Sequence, residues 1–272
     1  MLEKKLNIMA VGAHPDDVEE QFGGTAMLYS SKGHRVLVVS MTNGDTGHQI
    51  LGRKELADRR RKEAYAAGKV MNTEYKILPI HDGELVPSLA NRKKLLKVIR
   101  KFRPDIIFTH SPAEYHPDHR YTTQLVLDTS YLVIVPNIVP EVPPLKENPC
   151  YFYFSPGKPQ KSSFNFCFPI DSVWDRKLLA WHQHASQMYE WLPWTMGILD
   201  QVPVHTKERL EFLSLWRGKR FVSLANEYRP WLIKRYGKTA EKICYAEAVY
   251  SAPVGKQVGM NRKEIEKLFF CI

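Results

Sequence analysis

Residues 8–17 read Ile-Met-Ala-Val-Gly-Ala-His-Pro-Asp-Asp, a short apolar run that stops at a histidine and two carboxylates. Leu6 to Val11 has the length and aliphatic character of a strand covered on both faces, and Val18 to Ser31 reads as the amphipathic helix after it. This order puts His14, Asp16 and Asp17 at the carboxyl end of a first parallel strand, where open α/β sheets bind ligands. Pro15 fixes its own φ and biases His14 towards extended backbone. The chain therefore turns sharply between the histidine and the aspartates, aiming His14 and Asp17 at one point while Asp16 projects elsewhere.

A second polar cluster, Tyr115-His116-Pro117-Asp118-His119, comes after another apolar run, Asp105 to Thr109. Pro117 suits the first position of a helix and His116 the position before it, so His116 and His119 lie one turn apart on one side. A His, Asp, His set suits zinc, with three protein ligands and an open position, and Fe2+ is a further candidate. The expected ligands are His14, Asp17 and His119. Asp16 is left free to accept a proton from water, and His116 to face a developing oxyanion. Asp118 either holds the His116 ring in its imidazolium form or supports a liganding histidine from behind. This chemistry by itself reaches a metal-dependent hydrolase, with cleavage of a phosphoester or of another amide as the near alternatives.

These motifs resemble those of the LmbE/PIG-L family of zinc-dependent N-acetylglucosaminyl deacetylases. Its hallmarks, Ala-His-Pro-Asp-Asp after the first strand and a later His-Pro-Asp-His, stand intact at Ala13–Asp17 and His116–His119. The resemblance continues through Gly23-Gly24, Arg60 with Glu63, and Asp82-Gly83, and is closer in the first half of the chain than in the rest. It implies an LmbE-like fold and, as substrate, an N-acetylated sugar of the N-acetylglucosamine type or a conjugate of one, cut to acetate and a free amine. It also implies an arginine, Arg60, near the substrate and Asp82 lining the sugar pocket. The spelling His184-Ala185-Ser186-Gln187 belongs to the same resemblance and brings His184 towards the site. Without it, Arg60–Glu63 is an ordinary helix ion pair, Asp-Gly an ordinary turn, and His184 a structural histidine on a tryptophan-rich helix.

Working outward, Arg35 to Met41, Tyr75 to Ile80 and Asp105 to Thr109 read as further strands, alternating with helical stretches at 54–70, 90–102 and 120–135. This is the pattern of right-handed βαβ units. The second strand ends in Thr42-Asn43-Gly44-Asp45-Thr46-Gly47-His48, which makes Asn43, Asp45 and His48 pocket candidates on the same sheet edge, with plain turn chemistry the alternative for Asn-Gly-Asp. Two more strands, 151–155 and 164–170, a helix over 172–190 and a last strand over 244–249 complete the reading. The Pro-rich stretch 136–149 reads as a loop, either a lid or an oligomer contact. The expected architecture is a single α/β domain over 1–272, a Rossmann-like three-layer fold with a mostly parallel central sheet and an elaborated C-terminal half from about residue 136 onward.

Composition agrees with one large core: 272 residues, 44% of them hydrophobic. No stretch approaches the ~20 apolar residues of a membrane span, and the N-terminus shows no apolar signal core, so the expectation is a soluble cytoplasmic protein. The four cysteines are scattered, which argues against a disulfide framework or a cysteine metal site. The net charge of +10 gathers at 59–62, 92–94 and 97–103, and reads as solvated helix faces rather than a nucleic-acid surface. A nucleotide-binding role is further disfavoured because Gly12 to Asp17 lacks dinucleotide-loop glycine spacing and carries carboxylates that repel phosphate.

Overall fold

The computed structural model describes residues 5–161 and 163–269, so Met1 to Lys4 and Cys271 lie outside the described residues. In chain order the elements are β1 (Asn7–Gly12), α1 (Asp17–Ser31), β2 (Arg35–Ser40), α2 (Arg53–Met71), β3 (Glu74–Ile77), α3 (Leu89–Phe102), β4 (Ile106–Thr109) and α4 (Pro117–Leu132). The second half adds β5 (Cys150–Phe154), β6 (Asn165–Pro169), α5 (Trp174–Gln183), α6 (Leu192–Thr195), α7 (Thr206–Arg217), α8 (Lys219–Glu227), α9 (Arg229–Tyr236), β7 (Ala246–Gly255) and α10 (Arg262–Phe269).

The strands form one mixed sheet in the order β3-β2-β1-β4-β5-β7-β6, with β1 to β5 parallel and β7 antiparallel to both its neighbours. Successive residues of β1 feed opposite layers: Ile8 and Ala10 pack into one apolar cluster, Met9 and Val11 into the other. Both faces are therefore covered, as the uninterrupted aliphatic run requires. The chain winds outward from β1 through β2 to β3 and then returns to β4 on the other side of β1. That reversal opens a crevice at the carboxyl ends of β1 and β4, the switch point at which such sheets bind ligands. The polar clusters at 14–17 and 116–119 come directly after those two strands.

Three expectations are corrected by tertiary contacts. The helix expected over 172–190 ends at Gln183, and residues Ser186–Trp191 form a separate π-helical turn. Polar groups at the break are drawn elsewhere: His184 Nε2 lies 3.0 Å from Glu19 Oε1, while the Ser186 amide and hydroxyl donate to Glu63. The last strand is longer than expected and lies inside the sheet, so Glu247 is fully buried. Glu247 accepts from Lys177 Nζ and from the amides of Gly24 and Thr25, tying α1 to β7. A Cβ on Gly24 would stand 2.7 Å from Ile170, so that glycine serves close packing.

The third correction concerns the basic helix and the proline-rich stretch. Leu95, Leu96, Ile99 and Phe102 of α3 face inward as their spacing requires, but Arg100 goes with them and is 1% exposed. Its guanidinium donates to the carbonyls of Leu132, Val133, Val135, Ile138, Val139 and Val142. Residues 136–149 form no helix or strand, yet this one side chain gathers the carbonyls of the first part of the stretch. None of those residues lines the cavity at the sheet's carboxyl edge.

Candidate active site

The turn after β1 is as sharp as Pro15 suggests. Asp16 stands at φ +140°, a conformation L residues rarely adopt and one that stores strain where it occurs. A Cβ on Gly12 would come 2.8 Å from the Asp17 Cβ, so only glycine lets the turn fold back this tightly. Asp17 Oδ2 accepts from the amides of Ala13 and His14, at 2.8 and 2.7 Å. Its Oδ1 faces His119 Nε2 at 3.4 Å. On the other side of the crevice His116 caps α4, its Nδ1 accepting from the Asp118 amide at 3.2 Å, with Pro117 first in the helix as read from the sequence.

His14 Nδ1 lies 3.3 Å from His119 Nε2 and 3.5 Å from Asp17 Oδ2. Three ligands at zinc bond lengths of 2.0–2.1 Å in tetrahedral directions stand about 3.3 Å apart. His14, Asp17 and His119 thus have the donor chemistry for a small divalent cation, with the two histidine nitrogens at that spacing and the two oxygens of Asp17 lying 3.5 and 3.4 Å from one nitrogen each. Among the described residues, the groups whose ligand atoms all lie close enough to share one ion are His14–His116–His119, Asp17–His110–His119 and His14–Asp82–Asp118, which between them include His14, Asp17 and His119.

The electrostatics of the cluster call for positive charge. Burial pushes the His119 imidazole down, but Asp17 and Glu114 outweigh it and raise its pKa to about 9. His14 is likewise raised well above its ordinary value against burial, by Asp17, Asp118 and Asp82. Asp17 is held well below the carboxylate range against burial by His119, His110 and His14. Asp16 goes the other way: burial, helped by Asp17 and opposed by Arg60, lifts it to about 6.

The remaining expected residues divide. Arg60 is buried in the cavity wall, but its guanidinium is committed to Asp16 Oδ1 at 3.0 Å and the Pro15 carbonyl at 2.7 Å. Asp82 also lines the cavity, with Oδ1 3.1 Å from His14 Nε2. Asp118 does not hold the His116 ring: its carboxylate turns to the Gly83 amide and to His14 Nε2, at 2.8 and 3.4 Å. His116 is accordingly lowered, not raised, by burial and by the charges of His14 and His119, which outweigh Asp118. Asn43, Asp45, His48 and His184 do not line the cavity. Asn43 is held in the loop by its backbone N–H, which donates to the Ile80 carbonyl, and His184 is fully buried against Glu19 behind the crevice.

Several cavity and cluster residues escape a reading of the sequence. His110 stacks on His119 with ring centroids 4.1 Å apart and sits 3.1 Å from Asp17 Oδ2. Its position directly after β4 is the available signal, since the same strand-end rule marks His14. Glu114 lies 3.4 Å from His119 Nδ1. From the C-terminal half come Gln187, Trp191, Arg217 and Arg220, joined by Glu20 and Gln21 of α1, in a cavity of about 710 Å³. Gln187 belongs to the His-Ala-Ser-Gln spelling and Trp191 to the tryptophan-rich half of the chain, but no local pattern marks the others; in the sequence, Arg217 to Arg220 is a basic stretch without a catalytic signal.

Residues 9–130 match the family described as PIG-L: GlcNAc-PI de-N-acetylase. A diacetylchitobiose deacetylase of Thermococcus kodakarensis is 29% identical over 201 residues, which cover 69% of this chain and 73% of that one. In solved structures, the N,N'-diacetylchitobiose deacetylase of Pyrococcus horikoshii, complexed with its inhibitor MPG, superposes with a TM-score of 0.69 at 24% identity, over 92% of this chain and 85% of that one. The 4-carboxy-2-hydroxymuconate hydratase GalB of Pseudomonas putida KT2440 superposes with a TM-score of 0.68 at 23% identity, over 92% and 96%. At those identities the superpositions establish the fold, a mostly parallel sheet flanked by helices, and the fold hosts more than one chemistry.

Proposed function

We propose that this chain, which carries a PIG-L (LmbE-like) family domain over residues 9–130, is a metal-dependent N-deacetylase that releases acetate from an N-acetylglucosamine-type sugar or a conjugate of one. The observation that carries the reading is the meeting of His14, Asp17 and His119, each within 3.5 Å of the other two, with Asp16 beside them and unliganded. The cofactor assigned to the three is Zn2+, with Fe2+ compatible with the same donors. When bound, it supplies a Lewis acid that polarises the acetyl carbonyl and makes water a stronger acid, with a pKa lowered towards about 7.

The residues divide the remaining work. Asp16, fixed by the Arg60 guanidinium, accepts the proton of the attacking water at its carboxylate. His116 accepts the Asp118 amide at Nδ1, so its proton sits on Nε2 and a neutral imidazole donates to the oxyanion that the acetyl oxygen becomes. Asp118 and Asp82 act on His14 from its far side, which orients the ring. Returning the proton from Asp16 to the nitrogen lets the amine leave, with acetate as the other product. The substrate class is supported by the family description and by the deacetylases among the similar proteins.

The test is acetate and primary-amine release from N-acetylated sugars by protein whose metal content has been measured after purification without added metal. Stoichiometric acetate and amine support the reading. Turnover of an unsaturated hydroxy acid without acetate release from any sugar would favour the hydratase chemistry named for the similar GalB structure.

A further inference from the structure

The strained turn at Asp16 is gripped from several sides. In the cavity wall, Arg60 of α2 donates to the Pro15 carbonyl and to Asp16 Oδ1, at 2.7 and 3.0 Å. From α1 itself, the Glu20 amide donates to the Asp16 carbonyl at 2.9 Å. A further grip comes from behind, on the first turn of α1, through side chains that do not line the cavity. Glu19 is fully buried there: its Oε1 lies 3.0 Å from His184 Nε2, and its Oε2 accepts from the Tyr75 hydroxyl at 3.4 Å. Lys177 Nζ donates to the Glu19 and Glu20 carbonyls, at 2.6 and 3.0 Å.

Stability alone gives little reason for Glu19 and His184. A buried carboxylate and imidazole both lose hydration, and apolar side chains of similar volume commonly serve a fold as well. The His184 ring also keeps a buried Nδ1 with no hydrogen-bond partner among the described residues. Direction is what such a pair supplies. A carboxylate held between a histidine at the break after α5 and a phenol on β3 fixes the rotation of α1 about its axis, and Asp16 is the residue immediately before that helix. Burial lowers the pKa of His184, but Glu19, Asp16 and Glu63 outweigh it and raise it, so the ring stands among three carboxylates of which one is Asp16. A backbone held in a rarely adopted conformation persists only where its surroundings over-determine it. We propose that Glu19 and His184 are positioning residues: the pair locks the first turn of α1 in the rotation that keeps Asp16 in its strained backbone conformation, where its carboxylate can take a proton. Only the role of Asp16 rests on the N-deacetylase reading; the lock on the turn is a property of the fold.

The experiment measures amide hydrogen exchange by NMR on the metal-free full chain, and kcat and KM for acetate release on the zinc-loaded protein. The informative amides are those of Asp17 and Glu20, which close the turn onto the His14 and Asp16 carbonyls. Glu19→Met combined with His184→Leu removes both polar partners, while Arg60 and Lys177 keep the helix docked. In this double variant, and in Glu19→Met alone, the two amides exchange about tenfold faster or more while the rest of α1 is unchanged. In both, kcat falls about 10–100-fold with KM unaltered. Glu19→Gln, which still offers an oxygen to His184 and Tyr75, stays near the wild type on both counts. Zn2+ affinity is retained throughout, because Asp17 Oδ2 keeps its bonds from the Ala13 and His14 amides. Wild-type exchange at Asp17 and Glu20, or wild-type kcat, in a folded variant without the pair overturns the positioning role. So does exchange that quickens evenly along α1, a Glu19→Gln as impaired as the double variant, or failure of both apolar variants to fold, which marks the pair as structural support. Acetate from no sugar with the wild type removes the deacetylase reading, and the exchange result then still decides whether the pair holds the turn.

Discussion

Nδ1 of His14 and Nε2 of His119 stand 3.3 Å apart although 105 residues separate them in the chain. The sheet makes this meeting unavoidable: β1 and β4 are parallel neighbours, with Val11 opposite Thr109, so both strands deliver the polar loops at their carboxyl ends to the same edge. Asp17 completes the triangle because the strained turn at Asp16 carries the chain back under His14.

The first prediction concerns the proton. Asp16→Ala keeps the metal, since Asp16 is not among the three assigned ligands, and lowers kcat by roughly 10²–10⁴-fold. Metal analysis and acetate release on the same sample check it; a variant that has lost its metal but regains full turnover on reconstitution contradicts the role.

The second separates ligands from the groups behind them. Protein stripped with a chelator loses activity and regains it with Zn2+, whereas His119→Ala does not regain it at the same metal concentration. Glu114→Gln, which alters only the partner of His119 Nδ1, weakens metal affinity by roughly 10–100-fold. Metal titration by calorimetry distinguishes the two variants, and an affinity of Glu114→Gln equal to that of the wild type would remove Glu114 from this role.

The third is structural. Arg100→Met leaves several buried carbonyls without a donor, and the loss is expected to be about 3 kcal/mol or more in urea unfolding. Arg100→Lys recovers little, because an ammonium cannot reproduce the guanidinium fork. Since Arg100 is remote from the cavity, specific activity of the folded fraction at low temperature stays near wild type.

The fourth concerns Glu20. Burial raises its pKa, but Arg217 and Arg220 more than reverse this and hold it below the ordinary 4.5. A carboxylate lowered in the folded state contributes stability that is fully present above its unfolded pKa and lost as pH falls through the folded value. The stability gap between wild type and Glu20→Gln is therefore largest near about pH 7 and closes progressively below about pH 4.5. Unfolding series at fixed ionic strength measure it; a gap that is constant with pH contradicts the pairing.

The sequence made much of this legible because the decisive signals are local. A buried parallel strand needs an unbroken aliphatic run, and a proline after a histidine forces a turn, so β1, β4 and the two polar clusters stand out without any knowledge of the fold. Helix starts were equally readable, as with His116 and Pro117. Break points were not. The helix expected through His184 stops at Gln183, where Glu19 and Glu63, more than 120 positions away, take the polar groups of His184 and Ser186 just beyond it.

By itself, then, the sequence determined the sheet's first four strands and the edge at which His14, Asp16, Asp17, His116 and His119 gather in one cavity. Only the tertiary structure decided that Asp118 turns to His14 rather than to His116, that His110 and Glu114 stand behind the cluster, and that Arg217, Arg220 and Trp191 build the outer cavity. The physical reason is range. Backbone sterics and hydrophobic period act between near neighbours, whereas hydrogen-bond partners, burial and the sum of nearby charges depend on residues that meet only when the chain is folded.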